Sequence, residues 1–264
     1  MTASLTHYGR IYVFDPAAAL DISLPLGLGP EQVNCFWAEP VRIEAIRVDS
    51  FVGSVRAGGS TNYQRISLTP HGNGTHTECY GHIAPEAPEA TLPACLTRFL
   101  FVAELISLPL REAENGDYLI LLADVQAALD LTNRPEAVIF RTHPNDNAKR
   151  SRQYSGTNPP YPEPGIGAWL AAQGIEHWLL DLPSVDRELD AGRLENHHQF
   201  WRYPAATRRA ATITELIFVP DGVPDGRYLL NLQVTSLTFD ASPSKPVLYA
   251  LNLADVASAV PAPH

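Results

Sequence analysis

Short runs of β-favouring residues, each closed by a turn former, recur along the chain and constrain its fold more than any other feature. They are "RIYVF" (10–14), "RFLFVAELISL" (98–108), "AVIFRT" (137–142), "HWLLDL" (177–182), "TITELIFV" (212–219), "YLLNLQVTSLTF" (228–239) and "PVLYALNL" (246–253). Each is rich in β-branched, aromatic or leucine residues and ends near Gly, Pro, Asn or Asp. Helical spacing is confined to "LLADVQAALDL" (121–131) and "GIGAWLAAQG" (165–174), the second following Pro164 and stopping at Gly174, the expected C-cap. The order helix, "AVIFRT", helix, "HWLLDL" predicts a βαβ crossover, so the fold class is α/β with more strand than helix.

With 264 residues, 45% of them hydrophobic, the chain has material for a large core. No repeat or linker-like tract divides it, which predicts one domain over residues 1–264. A formal net charge of −10 argues against nucleic acid or an anionic membrane as partner and leaves a small molecule. Cys35, Cys79 and Cys95 are odd in number and widely spaced, which speaks for reduced thiols rather than a disulfide framework. The opening segment has no basic stretch leading into an apolar run, and no segment reaches membrane-span length, so a soluble cytoplasmic protein is expected. Two stretches read as functional loops, "APEAPEATLPA" (84–94) and the long, locally basic 143–165.

The densest chemistry lies in "HGNGTHTECYGH" (71–82). On a strand, even offsets share a face, so His76, Glu78 and His82 are expected to project together. Imidazole and carboxylate together suit zinc or manganese. The bland reading, an edge strand with exposed polar side chains, is weakened by the density of titratable groups and by further donors in "ENHHQF" (195–200) and at Glu215. His71 sits at an odd offset and joins the group only if Gly72 to Gly74 form a β-bulge.

These residues resemble the signature of the metal-dependent cyclase-like hydrolases that include bacterial kynurenine formamidases and isatin hydrolases, roughly H-x-G-T-H-x-D-x-P-x-H. The likeness extends in order through "LDISLPLG" (20–27), "VIFRTH" (138–143), "GIEHWLLDLPSVD" (174–186), "TELIFV" (214–219) and "ASPSKPVLYAL" (241–251). It implies a β-rich swivelling β/β/α domain, a homodimer or higher oligomer, and one or two divalent ions, zinc or manganese. The ligands it implies are His71, His76, Glu78, a histidine of the 196–198 "NHH" and Glu215, with His82 as catalytic acid or base. His198 is slightly favoured over His197 on its spacing from Glu215. The chain departs from the pattern in the residue added after His71, Glu78 in place of aspartate, the lost proline before His82, Leu24 in place of histidine, and the long gap from His198 to Glu215.

The activity this implies is hydrolysis of an amide or formamide bond in a small molecule, of arylformamidase or cyclic-amide type. The second expectation is a non-catalytic member that keeps the fold and binds a metal or ligand; a serine hydrolase built on Ser184 is weaker, since no nucleophile-elbow glycines surround it. His82 also admits a reading as a further metal ligand. Arg141 is a candidate grip for a substrate carboxylate, and Tyr80, with Phe36, Trp37 and Trp201, for an aromatic pocket, although core packing has the higher prior for the aromatics. Cys79 is expected to face away from the ions, and Asp181, Ser184 and Asp186 to serve turns and packing.

Overall fold

Seven strands form one closed sheet in the computed structural model, which describes residues 1–29 and 31–254. They are β1 (His76–Cys79), β2 (Leu100–Pro109), β3 (Ala137–His143), β4 (His177–Leu180), β5 (Thr212–Glu215), β6 (Gly226–Val234) and β7 (Ala241–Ala250). Around the ring the order is β6-β2-β3-β4-β5-β1-β7, and β7 pairs back onto β6 to close the barrel. β2, β3, β4 and β5 run parallel, whereas β1 and β6 run against both of their neighbours. Closure leaves these strands without an open edge. The C-terminal ten positions of the expected 1–264 domain lie outside the described residues.

Three helices make the parallel crossovers: α1 (Leu122–Ala128), α2 (Ile166–Gln173) and α3 (Glu195–Trp201). Parallel strands covered by helices lose their alternation, and β3 accordingly has six consecutive buried residues. The core between β3, β4 and α3 is aromatic: Trp178 meets Phe140 and Phe200 edge to face, each with ring centroids 5.6 Å apart. The crossover from β3 through α2 to β4 follows the expected order, and α2 stops at Gly174 with φ +82°.

Several expected strands end early or lie elsewhere. "RIYVF" belongs to a separate three-stranded sheet with Ala3–His7 and Asn252–Leu253. β5 stops at Glu215 because Leu216 adopts φ +55°, and β6 stops at Val234. The loop 143–165 is not a free lid. Lys149 is buried within it, donating to Thr142 and 2.8 Å from Asp181, and Tyr154 is fully buried. A buried ammonium with three or more acceptors anchors a loop instead of leaving it mobile.

Candidate metal centre

β1 lies between β5 and β7, and its register sets the site: His76 stands opposite Glu215 and Pro243, and Glu78 opposite Ile213 and Ala241. The two-residue period puts His76, Glu78 and Glu215 on one face. Thr77 turns to the other, where its hydroxyl meets that of Thr214 at 2.7 Å. His76, Glu78 and Glu215 are buried and their donor atoms lie within 4.8 Å of one another.

His71 reaches the cluster without a bulge. β1 begins only at His76, and residues 70–75 form a turn in which the Gly72 and Asn73 amides both donate to the Thr69 carbonyl. The added residue is absorbed there, ahead of the ladder. A Cβ at Gly72 would lie 2.3 Å from that of Ala38, so only glycine fits this close approach. His71 Nε2 then sits 2.8 Å from Asp240 Oδ2 and 3.7 Å from Glu78 Oε2.

His82 also arrives from off the strand. The chain leaves β1 at Cys79 and turns through a 3₁₀ segment, Tyr80–Ile83, which brings His82 Nδ1 to 3.7 Å from Glu78 Oε2 and 3.5 Å from Asp240 Oδ2. Its expected position on the strand face is therefore replaced by a turn, although it meets the same carboxylate.

His197, not His198, is the histidine at the cluster. Its Nε2 lies 3.1 Å from Glu78 Oε1, and its Nδ1 is 2.6 Å from Asp186 Oδ2. The segment is helical rather than extended, so the two rings diverge by about 100° around α3. His198 faces Tyr203, with Nδ1 3.3 Å from its carbonyl. Asp186 also accepts the backbone amides of Asn196 and His197, fixing the start of α3. This carboxylate-to-histidine arrangement is the kind that orients a metal-binding ring.

Burial and charge oppose each other here. Burial raises the Glu78 carboxyl, but His82, His197 and His71 override it and hold it at about 2. Burial lowers His197, yet Asp186 and Glu78 raise it to about 10. Burial lowers His76, but Glu215, with Glu78 and the Gly74 carbonyl, raises it on balance, and Asp240 is held well below the usual carboxylate range by His71 and His82 against the burial that raises it. Excess buried carboxylate is thus balanced by imidazolium, a charge a divalent ion also supplies. His76 Nε2 is buried and makes no hydrogen bond; Glu215 Oε2 lies 3.3 Å away without hydrogen-bond alignment. An orphaned imidazole nitrogen facing two carboxylates fits a metal ligand. The donor atoms fall into three overlapping groups: His76, Glu78 and Glu215; Glu78, His82 and His197; and His71, His82 and Asp240.

Above the cluster opens a cleft of about 510 Å³, walled by Phe36, Arg187, Leu189 and Leu194. Neither Arg141 nor Tyr80 lines it. All the Arg141 donors are used in a latch, to Ser107 Oγ, the carbonyls of Pro220 and Val223, and Asp225. The Tyr80 hydroxyl donates to the Glu89 carbonyl, and its ring stacks on Tyr203. Of the other aromatics, Trp201 is core and Trp37 is mostly exposed. Cys79 is buried with its thiol towards the Ala90 carbonyl. Ser184 Oγ accepts the Asp186 amide and bonds no histidine among the described residues. Asp240 and the orienting role of Asp186 escape sequence reading, because only strand pairing and helix docking bring them to the site.

Solved structures share this architecture. A predicted metal-dependent hydrolase from Bacillus stearothermophilus superposes with a TM-score of 0.60 at 18% identity, over 88% of this chain and 97% of that one. Isatin hydrolase A from Labrenzia aggregata gives 0.59 at 16% identity, over 88% and 93%. Isatin hydrolase A from Ralstonia solanacearum gives 0.59 at 17%, over 88% and 91%. At these identities the likeness is one of fold. The Cyclase family, described as "Putative cyclase", matches residues 13–187, a span holding the whole of 71–82 together with Asp186. With two thirds of its length matched and the remaining donors delivered by the same barrel, this chain belongs to the cyclase family.

Proposed function

We propose that this protein is a metal-dependent hydrolase cleaving the C–N bond of an amide or formamide in a small molecule. The observation that carries the reading is the buried set Glu78, Glu215 and His197 lining an open cleft, with His76 and its orphaned Nε2 buried behind Glu78 and Glu215. The family and the isatin hydrolases sharing the fold support it, isatin being itself a cyclic amide.

The ligand set proposed for one or two ions, zinc or manganese, is His71, His76, Glu78, His197 and Glu215, with Asp240 beside His71. A bound divalent ion supplies Lewis acidity, lowering the pKa of water from ~16 towards ~7 and stabilising oxyanion charge. Asp186 holds the His197 ring so that Nε2 meets Glu78. Glu78 spans the groups, one oxygen towards His197 and the other towards His71 and His82. His82 is the proton carrier: it lines the cleft, its Nδ1 faces Glu78 and Asp240, and its Nε2 makes no hydrogen bond to the described residues. With a divalent ion supplying the positive charge that otherwise falls to imidazolium, His82 would be neutral, and that nitrogen would accept the proton of the attacking water and return it to the leaving nitrogen. Phe36, Leu189 and Leu194 shield the reacting group from bulk water.

The same reading includes self-association as a homodimer or higher oligomer. Val48, Phe51, Val55, Tyr63 and Ile66, all exposed on the arm between residues 42 and 67, support it. Three free cysteines support residence in the cytoplasm, and among the described residues no helix is long and apolar enough to cross a membrane.

The test is metal analysis of the purified protein with assays on N-formylkynurenine, isatin and simple formanilides, with and without chelator. The reading predicts bound metal and chelator-sensitive hydrolysis, abolished in His76→Ala and Glu78→Ala. Hydrolysis that survives both substitutions would exclude it.

A further inference from the structure

One charged group of the cleft has no part in the reading above. Arg187 is the only lysine or arginine among the described cleft-lining residues. Its Nη2 donates to Asp117 Oδ1 at 3.1 Å, and its Nε lies 3.1 Å from Asp117 Oδ2 without hydrogen-bond alignment. Nη1 has no partner among the described residues. The side chain is 39% exposed, whereas Asp117 is buried.

Asp117 does not need Arg187 to satisfy its oxygens. It already accepts the Tyr161 hydroxyl at 2.6 Å, the Asn158 amide at 2.7 Å and the Asn115 amide at 2.9 Å. The pairing therefore acts in the other direction: a carboxylate fixed by three donors fixes the direction of a guanidinium at the cleft wall. The two acidic wall residues beside it are engaged with their own surroundings. Glu188 accepts the Gly156 amide, and Asp190 accepts those of Gly192 and Leu194. Outside the histidine cluster, Arg187 alone among the described charged wall residues has an unused donor, Nη1.

We propose that Arg187 anchors an anionic group, a carboxylate, on the substrate, so that the preferred amide carries an acid function beside an apolar or aromatic body held by Phe36, Leu189 and Leu194. The inference rests on the hydrolase reading and gives its site a substrate class. Arg187 directly follows Asp186, whose carboxylate positions His197. Anchor and cluster thus share one rigid segment, which sets the distance between the substrate's acid group and its scissile carbonyl.

The experiment uses metal-loaded, full-length protein as wild type, Arg187→Gln and Arg187→Lys, with a matched pair of amides, 2-formamidobenzoate and formanilide. The acid-bearing amide should have the lower KM in the wild type. In Arg187→Gln its KM should rise about 10- to 100-fold, the usual effect of losing a charge-assisted hydrogen bond, while its kcat stays within about threefold. Arg187→Lys should restore part of the loss, and the KM of formanilide should move by less than about twofold in either variant. Equal losses for both amides would assign Arg187 to folding and overturn the proposal, as would a wild type indifferent to the acid group. If the wild type cleaves neither amide, the assays on N-formylkynurenine and isatin decide the hydrolase reading, and calorimetry with 4-phenylbutanoate and 4-phenylbutan-1-ol then decides the anchor. The acid should bind at least about tenfold more weakly to Arg187→Gln and the alcohol equally to both; equal affinities for the acid would overturn the proposal.

Discussion

His197 and His198 are adjacent, yet only one reaches the cluster, because on a helix successive side chains point about 100° apart. His197→Ala should lower affinity for zinc or manganese by well over tenfold, whereas His198→Ala should leave it within about twofold; dialysis followed by metal analysis measures both, and equal losses would contradict the geometry. Asp186 acts one step removed. Asp186→Asn keeps the shape but removes the charge that holds His197 Nδ1, and should weaken the metal about 10- to 100-fold while leaving the fold in place. Retention of full affinity would show that the ring needs no such partner. The grouping of His76 with Glu78 was legible, because two-residue alternation needs no knowledge of the rest of the chain, whereas Glu215 was given its place in the site only through the family resemblance. The choice between His197 and His198 was not legible, because it turns on whether seven residues coil or extend, and the spacing from Glu215 points the wrong way.

At the scale of elements, the site is held less by strands than by the turns flanking a four-residue strand. His71 comes from the turn before β1 and His82 from the turn after it, so the periodicity that groups His76 with Glu78 says nothing secure about either. The extra residue after His71 suggests a bulge from sequence, but a turn absorbs an inserted residue without disturbing any ladder. Gly81 shows how tightly the second turn is packed: a Cβ there would lie 1.9 Å from the Ala90 carbonyl oxygen. Gly81→Ala must therefore push residues 80–83 away from residue 90 and move His82 off Glu78. Denaturant unfolding should show a loss of about 1–3 kcal/mol, the usual range for overpacking. Turnover at a temperature where the variant remains folded should fall at least about tenfold, while His76, Glu78 and Glu215 keep their metal. Unchanged stability and turnover would mean that the contact relaxes freely.

For the molecule as a whole, the strands were legible as strands and the βαβ crossover as a crossover, because both follow from local composition. The ring order was not, since β1 inserts between β5 and β7, far from it in sequence, and that insertion alone delivers Glu215 and Asp240. Arg141 shows the same limit: it reads as a substrate grip but ties β2, β3 and residues 220–225 into one body. The barrel also buries a histidine remote from these functions, and this gives stability a dependence on pH. His177 opens β4, its Nδ1 2.8 Å from Thr212 Oγ1, its Nε2 unbonded and its ring packed on Phe101. Burial, aided by Arg98 and Arg208, pushes it down to about 3. Because the folded value lies below the unfolded one of about 6.5, the unfolded chain binds the extra proton between these limits. The contribution of neutral His177 is therefore whole above about pH 6.5 and declines as the pH falls towards 3. From pH 7 to pH 5 the expected loss is about 2 kcal/mol. A His177→Leu variant lacks this proton. Urea unfolding of both proteins at pH 7, 6 and 5, in the same metal-free buffer, should show the wild type losing about 2 kcal/mol more than the variant, even if the variant starts less stable through its lost bond to Thr212. The remaining acid-sensitive groups titrate alike in both and cancel in the difference. Parallel pH profiles would mean that His177 takes up its proton while the barrel stays folded.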